Sequence, residues 1–366
     1  MALVDSALPP CNQSQGGGPL RIAFFSAEWC IGPQIALGGS DYWRLALPAA
    51  KLFENGWDVI FARNLAESPE GRIYVQDTTG DWRDDRDIIV LQRWMGEGTA
   101  ERILKAREAG QIIVNEIDDD YWNFPEGHVS MSTSDPELNK ASNREHYRES
   151  VAASSLITVS TQYLADELSG WGPPVKLIRN YVDGEFWRPQ PPGDYVGWVG
   201  GLPWRGKDIE LLADTVVPWL RKRKQFFYHG GAVPDLKIED RLGYDRVATR
   251  SLCGIAQYPR LWEPIRVALC PIDDTPFGRA KSWIKGLEAG CRGVPFIHSA
   301  HAEYEHLGAG LCVREPDDWA KHLEALEDPV FYEEQREASI AMAKALDITQ
   351  NWSIWAETFQ EATATV

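Results

Sequence analysis

The sequence predicts an α/β protein built from two Rossmann-like, doubly wound domains that face a cleft. Short apolar runs alternate with amphipathic stretches along most of the 366 residues, the rhythm of strand–helix units. The runs are short and nearly unbroken, as in parallel strands buried on both faces. The rhythm stops once, at the Pro-rich WRPQPPGD of 187–194, and then restarts. A chain of this length suits two domains.

Strands are expected over 20–26 (LRIAFFS), 58–62, 87–91, 111–117, 156–160 and 175–179. Helices are expected between them over 41–55, 97–109, 143–153 and 161–169. After the Pro-rich stretch come strands at 195–199, 225–229, 266–270, 294–298 and 310–313, with helices at 207–222 and 280–290. A last helical stretch over about 331–362 carries Trp352, Trp355 and Phe359 at i, i+3 and i+7, a stripe suited to packing back on the first domain. The expected division is a disordered leader over 1–19, a first domain over 20–186 and a linker over 187–194. A second domain over 195–345 and a crossing C-terminal helix over 346–366 complete it.

Thirty-seven Lys and Arg against 54 Asp and Glu give a net charge of −17. That balance disfavours a protein that coats nucleic acid or anionic membrane without specificity. No run of 18 apolar residues is present to span a membrane, so no membrane partner is expected. The first 19 residues hold no Lys or Arg and do not read as a signal peptide. The six cysteines show no C-x-x-C pair and no zinc spacing. They read as small buried hydrophobes in a reducing cytoplasm.

Four segments at expected strand ends can carry chemistry, because open α/β sheets bind ligands there. In the first, Gly38-Gly39-Ser40 precedes a helix, and backbone amides at such a turn can hold a phosphate or an oxyanion. A plain tight turn would need the same glycines. In the second, Asp118, Asp119 and Asp120 stand together after the strand of 111–117. Three adjacent carboxylates can hold a divalent cation, orient sugar hydroxyls or act as a base. A solvated loop with one Asp capping the next helix is the plainer alternative.

The third segment, VGWVGGLPWRGKDIELL over 196–212, runs a strand into Gly200-Gly201, then Arg205 and Lys207, then a helix, an arrangement suited to a diphosphate, with a pair of solvated surface charges as the alternative. In the fourth, Lys281, Lys285 and Glu288 fall at i, i+4 and i+7 on a helix expected to begin near Arg279. There Glu288 can accept both hydroxyls of a ribose, and Lys281, with Ser282 beside it, can meet a phosphate. An ordinary charged helix face is the alternative. The loops of the first domain are also rich in rings (Trp29, Tyr42, Trp43, Trp94, Tyr121, Trp122 and Phe124), which can stack on a flat ligand or belong to the core. The basic run at 221–224 suits the end of a helix, with contact to nucleic acid as the alternative.

These segments together resemble a family. IRNYVDGEFWRP (178–189), VGWVGGLPWRGKDIELL, KSWIKGLEAGCRGVPFI and ASSLITVSTQYLADEL (153–168) are similar, in the right order, to segments of retaining glycosyltransferases of the GT-B fold. The GGSDYWR and IDDDYW signatures look most like those encoded by bacteriophages of actinobacteria. The resemblance implies transfer of a sugar from a UDP- or GDP-sugar to an acceptor hydroxyl, with retention and without an obligatory metal. It makes the first domain the acceptor side and the second the nucleotide-sugar side.

Carried over by position, Gly200, Gly201, Arg205, Lys207, Lys281, Ser282 and Glu288 would bind the donor. Gly38 and Gly39 would lie near the diphosphate and acceptor, and Asp118 and Asp119 would join Arg205 and Lys207 in catalysis. The chain departs from the family at Ala280, where another Glu is usual. A hydroxymethylated pyrimidine in phage DNA is the acceptor expected first, with a virion protein or a glycan as alternatives, in the cytoplasm of the infected cell. A nucleotide-sugar epimerase and a binding protein without turnover are further alternatives.

Overall fold

The computed structural model describes residues 20–27, 30–31, 35–36, 39–126, 128–131 and 144–364. The chain divides into two compact units. The first takes in Met1–Glu126, Ser130–Arg179 and Ile348–Val366, and the second Gly127–Val129 and Asn180–Asp347.

The first unit is built on β1 (Arg21–Ser26), a short antiparallel pair β2 (Cys30–Ile31) and β3 (Ile35–Ala36), then β4 (Asp58–Glu67), β5 (Ile73–Asp77), β6 (Trp82–Arg83), β7 (Ile88–Gln92), β8 (Ile112–Ile117), β9 (Leu156–Val159) and β10 (Val175–Leu177). Its main sheet has the order β10-β9-β8-β7-β1-β4-β5-β6. The strands from β10 to β4 are parallel, and β5 and β6 extend the edge antiparallel. Every residue of β7 and β8 is buried, as two-sided packing demands of their unbroken apolar character. The chain order reverses between β1 and β7, which makes that crevice the switch point of this sheet.

The helical segment after β1 begins at Gly39–Asp41, passes through a π-helical turn at Tyr42–Ala46 and continues as Leu47–Glu54. The expected C-terminal stripe packs on this unit. Phe359 meets Phe24 edge-on at 6.1 Å and Trp355 is buried, whereas Trp352 is half-buried.

The second unit is built on β11 (Tyr195–Val199), β12 (Phe227–Ala232), β13 (Val247–Ser251), β14 (Ile265–Cys270), β15 (Phe296–Ser299) and β16 (Leu311–Val313). All are parallel, in the order β13-β12-β11-β14-β15-β16. Counted within the unit this is 3-2-1-4-5-6, the order of dinucleotide-binding sheets, with its switch point between β11 and β14. The Pro-rich stretch expected as a linker lies against this unit, with Trp187 buried and Gln190 hydrogen-bonded through its backbone N–H to the Arg292 carbonyl at 3.0 Å.

Three expected helices are broken. The one over 207–222 is two helices, Leu202–Glu210 and Val216–Arg223, the first starting early because Pro203 suits a helix's opening turn. The one over 280–290 is also two, Pro276–Arg279 and Ile284–Cys291. Thr275 caps the former, its Oγ1 accepting from Gly278 N at 3.0 Å. Lys281 and Ser282 therefore precede the helix that carries Lys285 and Glu288, and the single charged face expected there is confined to those two residues. The stretch over 331–362 is Pro329–Ala345, Ile348–Asn351 and Ser353–Ala364. It breaks where the Leu346 carbonyl accepts from Val182 N at 3.1 Å instead of from its own helix.

Candidate functional site

At the switch point of the second sheet, two loops meet through one aspartate. β11 ends in Gly200-Gly201, and a side chain at Gly200 would lie 2.4 Å from the Trp198 ring. Gly231 takes φ +103° in close contact with Gly200, so only glycine suits both the backbone and the space there. Arg205 leaves helical geometry (φ −138°, ψ 21°) inside the helix Leu202–Glu210. Its Nε donates to the Asp208 carboxylate and its Nη2 to the Pro271 carbonyl at 3.4 Å. The other Asp208 oxygen accepts from Asp273 N at 2.7 Å. Asp208 and Arg205 thus tie the loop after β11 to the loop after β14. Burial and then the neighbouring Asp208 push the Asp273 carboxyl up, against the pull of nearby Lys207, itself exposed.

The loop after β14 brings more positive charge. Lys281 Nζ lies 3.9 Å from the centre of the Phe277 ring, and the His128 ring meets the same phenyl at 4.9 Å. Burial, then Lys281 and Arg205, hold the His128 imidazole neutral down to about pH 4. Ser282 Oγ accepts from Asn180 Nδ2 at 2.7 Å, and Trp283 Nε1 donates to the Asn180 carbonyl at 3.1 Å. Asn180 therefore fixes the chain on which Lys281 and Ser282 stand. Glu288, 1% exposed, accepts from Lys285 Nζ at 2.8 Å, and Lys285 also donates to the Tyr258 hydroxyl at 2.6 Å.

At the switch point of the first sheet the charges are paired. Ser26, Gln92, Glu116 and Thr158 lie level with one another across β1, β7, β8 and β9, all buried. Above them Asp41 accepts from Ser26 Oγ at 2.6 Å. Arg44 binds Glu116 through Nε at 2.6 Å and Nη2 at 3.1 Å, and donates to the Ile178 carbonyl at 2.6 Å. Burial pushes the Glu116 carboxyl up, and Arg44 opposes it. The GGSDYWR signature therefore turns its Asp and Arg down onto the sheet. Gly39, at its start, is exposed and has open space where a side chain would go. Gly38 lies outside the described residues.

Arg93, directly after β7, was not singled out by the sequence. It stands at φ +58°, and its Nη2 donates to Asp118 Oδ2 at 2.8 Å and to Ser40 Oγ at 3.0 Å. Its Nε donates to the Tyr121 hydroxyl, which donates in turn to Asp118 Oδ1 at 2.7 Å. Burial alone would lower the Arg93 pKa, and its neighbours, Asp118 first among them, together more than reverse this. Asp120 accepts from Trp122 N at 3.1 Å and Asn123 Nδ2 at 2.8 Å, so it caps its own turn. Asp119 stays half-exposed between them. Among the described residues, no group of three or more His, Cys, Asp or Glu is placed to hold a metal ion. Tyr42, Trp43 and Tyr121 are core residues, Trp94, Trp122 and Phe124 are half-buried, and Trp29 lies outside the described residues.

No family model matches the sequence, and no curated protein matches it. Solved structures do match its fold. The chain is similar to sucrose-phosphate synthase from Thermosynechococcus elongatus, with a TM-score of 0.64 and 14% identity over 95% of this chain and 100% of that one. It is similar to Anabaena HepE in complex with UDP-glucose, with a TM-score of 0.59 and 15% identity over 93% and 100%. A glycosyltransferase from Rickettsia africae matches with a TM-score of 0.59 and 10% identity over 94% and 98%. The chain has the GT-B fold, a mixed α/β architecture with two parallel-sheet domains.

His128, Asn180, Tyr258 and Arg93 are the site residues that sequence reading missed. Asn180 stands in the IRNYVDGEFWRP segment that carries the resemblance, and that placement was the available signal. The other three carry no local signal, because their neighbours come from distant parts of the chain.

Proposed function

We propose that the protein is a glycosyltransferase that moves a sugar from a nucleoside diphosphate sugar to an acceptor hydroxyl. The observation that carries this reading is the convergence of Arg205 and Lys281 on His128 at the switch point of a 3-2-1-4-5-6 sheet, with Glu288 buried nearby on the same unit. The cations would neutralise the leaving diphosphate as the bond from its oxygen to the anomeric carbon breaks. Lys207 would add charge from the exposed side. The new bond forms between that carbon and the acceptor oxygen, whose proton leaves with the departing phosphate or to water. Glu288 would accept the ribose hydroxyls. The complexes of HepE with UDP and UDP-glucose support a uridine donor as the first to test.

Retention of configuration, a bacteriophage origin and action in the cytoplasm rest on the sequence resemblance. So does the choice of acceptor, a hydroxymethylated pyrimidine in DNA, with protein or glycan as the alternatives. Part of the basic run at 221–224 is engaged within the chain: Arg223 pairs with Glu324 and Glu327, and Arg221 donates to the Gly243 carbonyl, while Lys222 and Lys224 are exposed. A specific acceptor base would have to be held by a pocket, extruded from the duplex. Purified protein incubated with UDP-glucose and with DNA containing 5-hydroxymethylcytosine or 5-hydroxymethyluracil, or with a virion protein, tests both levels by mass spectrometry. A hexose mass gain on the nucleoside supports the DNA acceptor. A gain only on protein moves the same donor site to protein glycosylation. Absence of both nucleoside diphosphate release and transfer with every UDP- and GDP-sugar tried refutes the enzyme reading.

A further inference from the structure

We infer that Lys285 is a positioning residue of the nucleotide site, its ammonium held between the Tyr258 hydroxyl and the Glu288 carboxylate so that Glu288 receives a nucleotide as a fixed anion. This rests on the reading above, in which Glu288 is the ribose acceptor. Lys285 Nζ is 2.8 Å from Glu288 Oε2 and 2.6 Å from the Tyr258 hydroxyl, with the Tyr258 ring centre 4.9 Å away. The two charged side chains are 17% and 2% exposed.

Local preference argues against both residues. In the helix Ile284–Cys291 the cation sits in the first turn and the anion towards the end, the reverse of what the helix dipole favours. Burial adds a desolvation cost to each. A pair that opposes dipole and burial together is the kind of local conflict that marks a site used for binding.

Lys285 is the cation hydrogen-bonded to Glu288, and other titratable and charged groups surround the pair. Tyr258, on the 3-10 helix Ile255–Trp262, is pushed up to about 12 by burial and then by Glu288. Cys270 at the end of β14 and Cys291 on the same helix are each pushed up to about 12, mainly by burial. All three are neutral at ordinary pH; Asp183, Asp347 and Arg292 act on Cys291, and Arg205 acts with Lys285 on Cys270. With Lys285 in place, Glu288 stays ionised and the ribose hydroxyls always meet an acceptor. With Lys285 replaced by an apolar chain, the buried Glu288 would take up a proton as pH falls and lose acceptor capacity.

The test is calorimetric titration of UDP-glucose, whose diphosphate keeps a constant charge over this range, into the full chain from pH 5.5 to 8.5, for the wild type, Lys285→Met, Lys285→Arg, Glu288→Gln and Lys285→Met/Glu288→Gln. Wild-type affinity should be nearly flat with pH. Lys285→Met should bind about tenfold more weakly at the acid end, the factor for one charge-assisted hydrogen bond, and recover towards the alkaline end. Lys285→Arg should restore the flat profile. Glu288→Gln should be weak and flat whether or not Lys285 is present. A Lys285→Met protein with wild-type affinity and a flat profile overturns the inference. If Lys285→Met fails to fold, a double variant weaker than Glu288→Gln alone does the same. A wild type that binds neither UDP nor GDP overturns the nucleotide reading, a distinct failure that takes this inference with it.

Discussion

Arg44→Met should destabilise the first unit by about 3–5 kcal/mol, the cost of leaving one partner of a buried ion pair uncompensated. The structure sets this magnitude. The Arg44 and Glu116 side chains are 1% and 0% exposed and share two hydrogen bonds. Arg44 also donates to the Ile178 carbonyl and stands 5.2 Å from the centre of the Trp355 ring. Methionine fills most of the space but satisfies neither the carboxylate nor the carbonyl. Glu116→Gln should cost less, because its amide keeps one acceptor for Arg44. Arg44→Met/Glu116→Leu should recover most of the loss, since an apolar pair of similar volume removes both charges. Urea unfolding followed by tryptophan fluorescence, with hydrogen exchange on β1, β7 and β8, reads the first unit separately from the second. A single variant within about 0.5 kcal/mol of wild type, or a double variant no better than the single, would refute the reasoning.

Arg205→Ala and Lys207→Ala should each slow sugar transfer by about tenfold or more while changing uridine affinity little, because their charge acts on the leaving group. Equal slowing of transfer and weakening of uridine binding would reassign them to ground-state binding. Acidification should destabilise the second unit through His128. Its imidazole would titrate near 6.5 when unfolded but resists protonation until about 4 when folded, so the unfolded chain takes up the proton first. Stability is therefore full above about 6.5 and falls as pH drops through that window, by at most about 3.4 kcal/mol at 1.36 kcal/mol per unit. His128→Phe should flatten the profile measured by thermal melts at pH 7.5, 6 and 5. A variant that keeps the wild-type slope would show that other groups set it.

Elements that declare themselves by one continuous apolar run were legible from sequence, β1, β7, β8, β11 and β14 among them. β5 and β6 were not, because an antiparallel edge alternates sides and has no such run. β13 is largely exposed at the opposite edge of its sheet and offers only VATRS. Motifs at strand ends identified where the switch points lie, since the fold class alone puts ligands there. Motif residues did not reveal which way their side chains face. Asp41 and Arg44 turn into the sheet because buried Ser26 and Glu116 need partners, and those partners lie 15 and 72 residues away. Lys281 left its expected helical face because Thr275 and Pro276 open a short helix that ends before it.

The Asp triplet shows the same limit, and one double-mutant cycle decides its role. A base or a metal ligand needs a carboxylate with an oxygen to give. Asp118 places one oxygen on Arg93 and the other on Tyr121, while Asp120 places both on its own turn. Arg93 holds this arrangement from φ +58°, a backbone state that costs a non-glycine residue about 1 kcal/mol or more. It also reaches Ser40, so it braces the loops after β1, β7 and β8 against one another. If Asp118 serves as that brace, Arg93→Met and Asp118→Asn should each lower stability. Their double variant should then lose less than the sum, with a coupling of about 1–3 kcal/mol. Transfer should fall in both singles in proportion to the loss of loop order seen by hydrogen exchange. If Asp118 is instead the base, Asp118→Asn alone should abolish transfer while unfolding and exchange stay at wild-type values. Additivity within about 0.5 kcal/mol together with that pattern would return Asp118 to the chemistry.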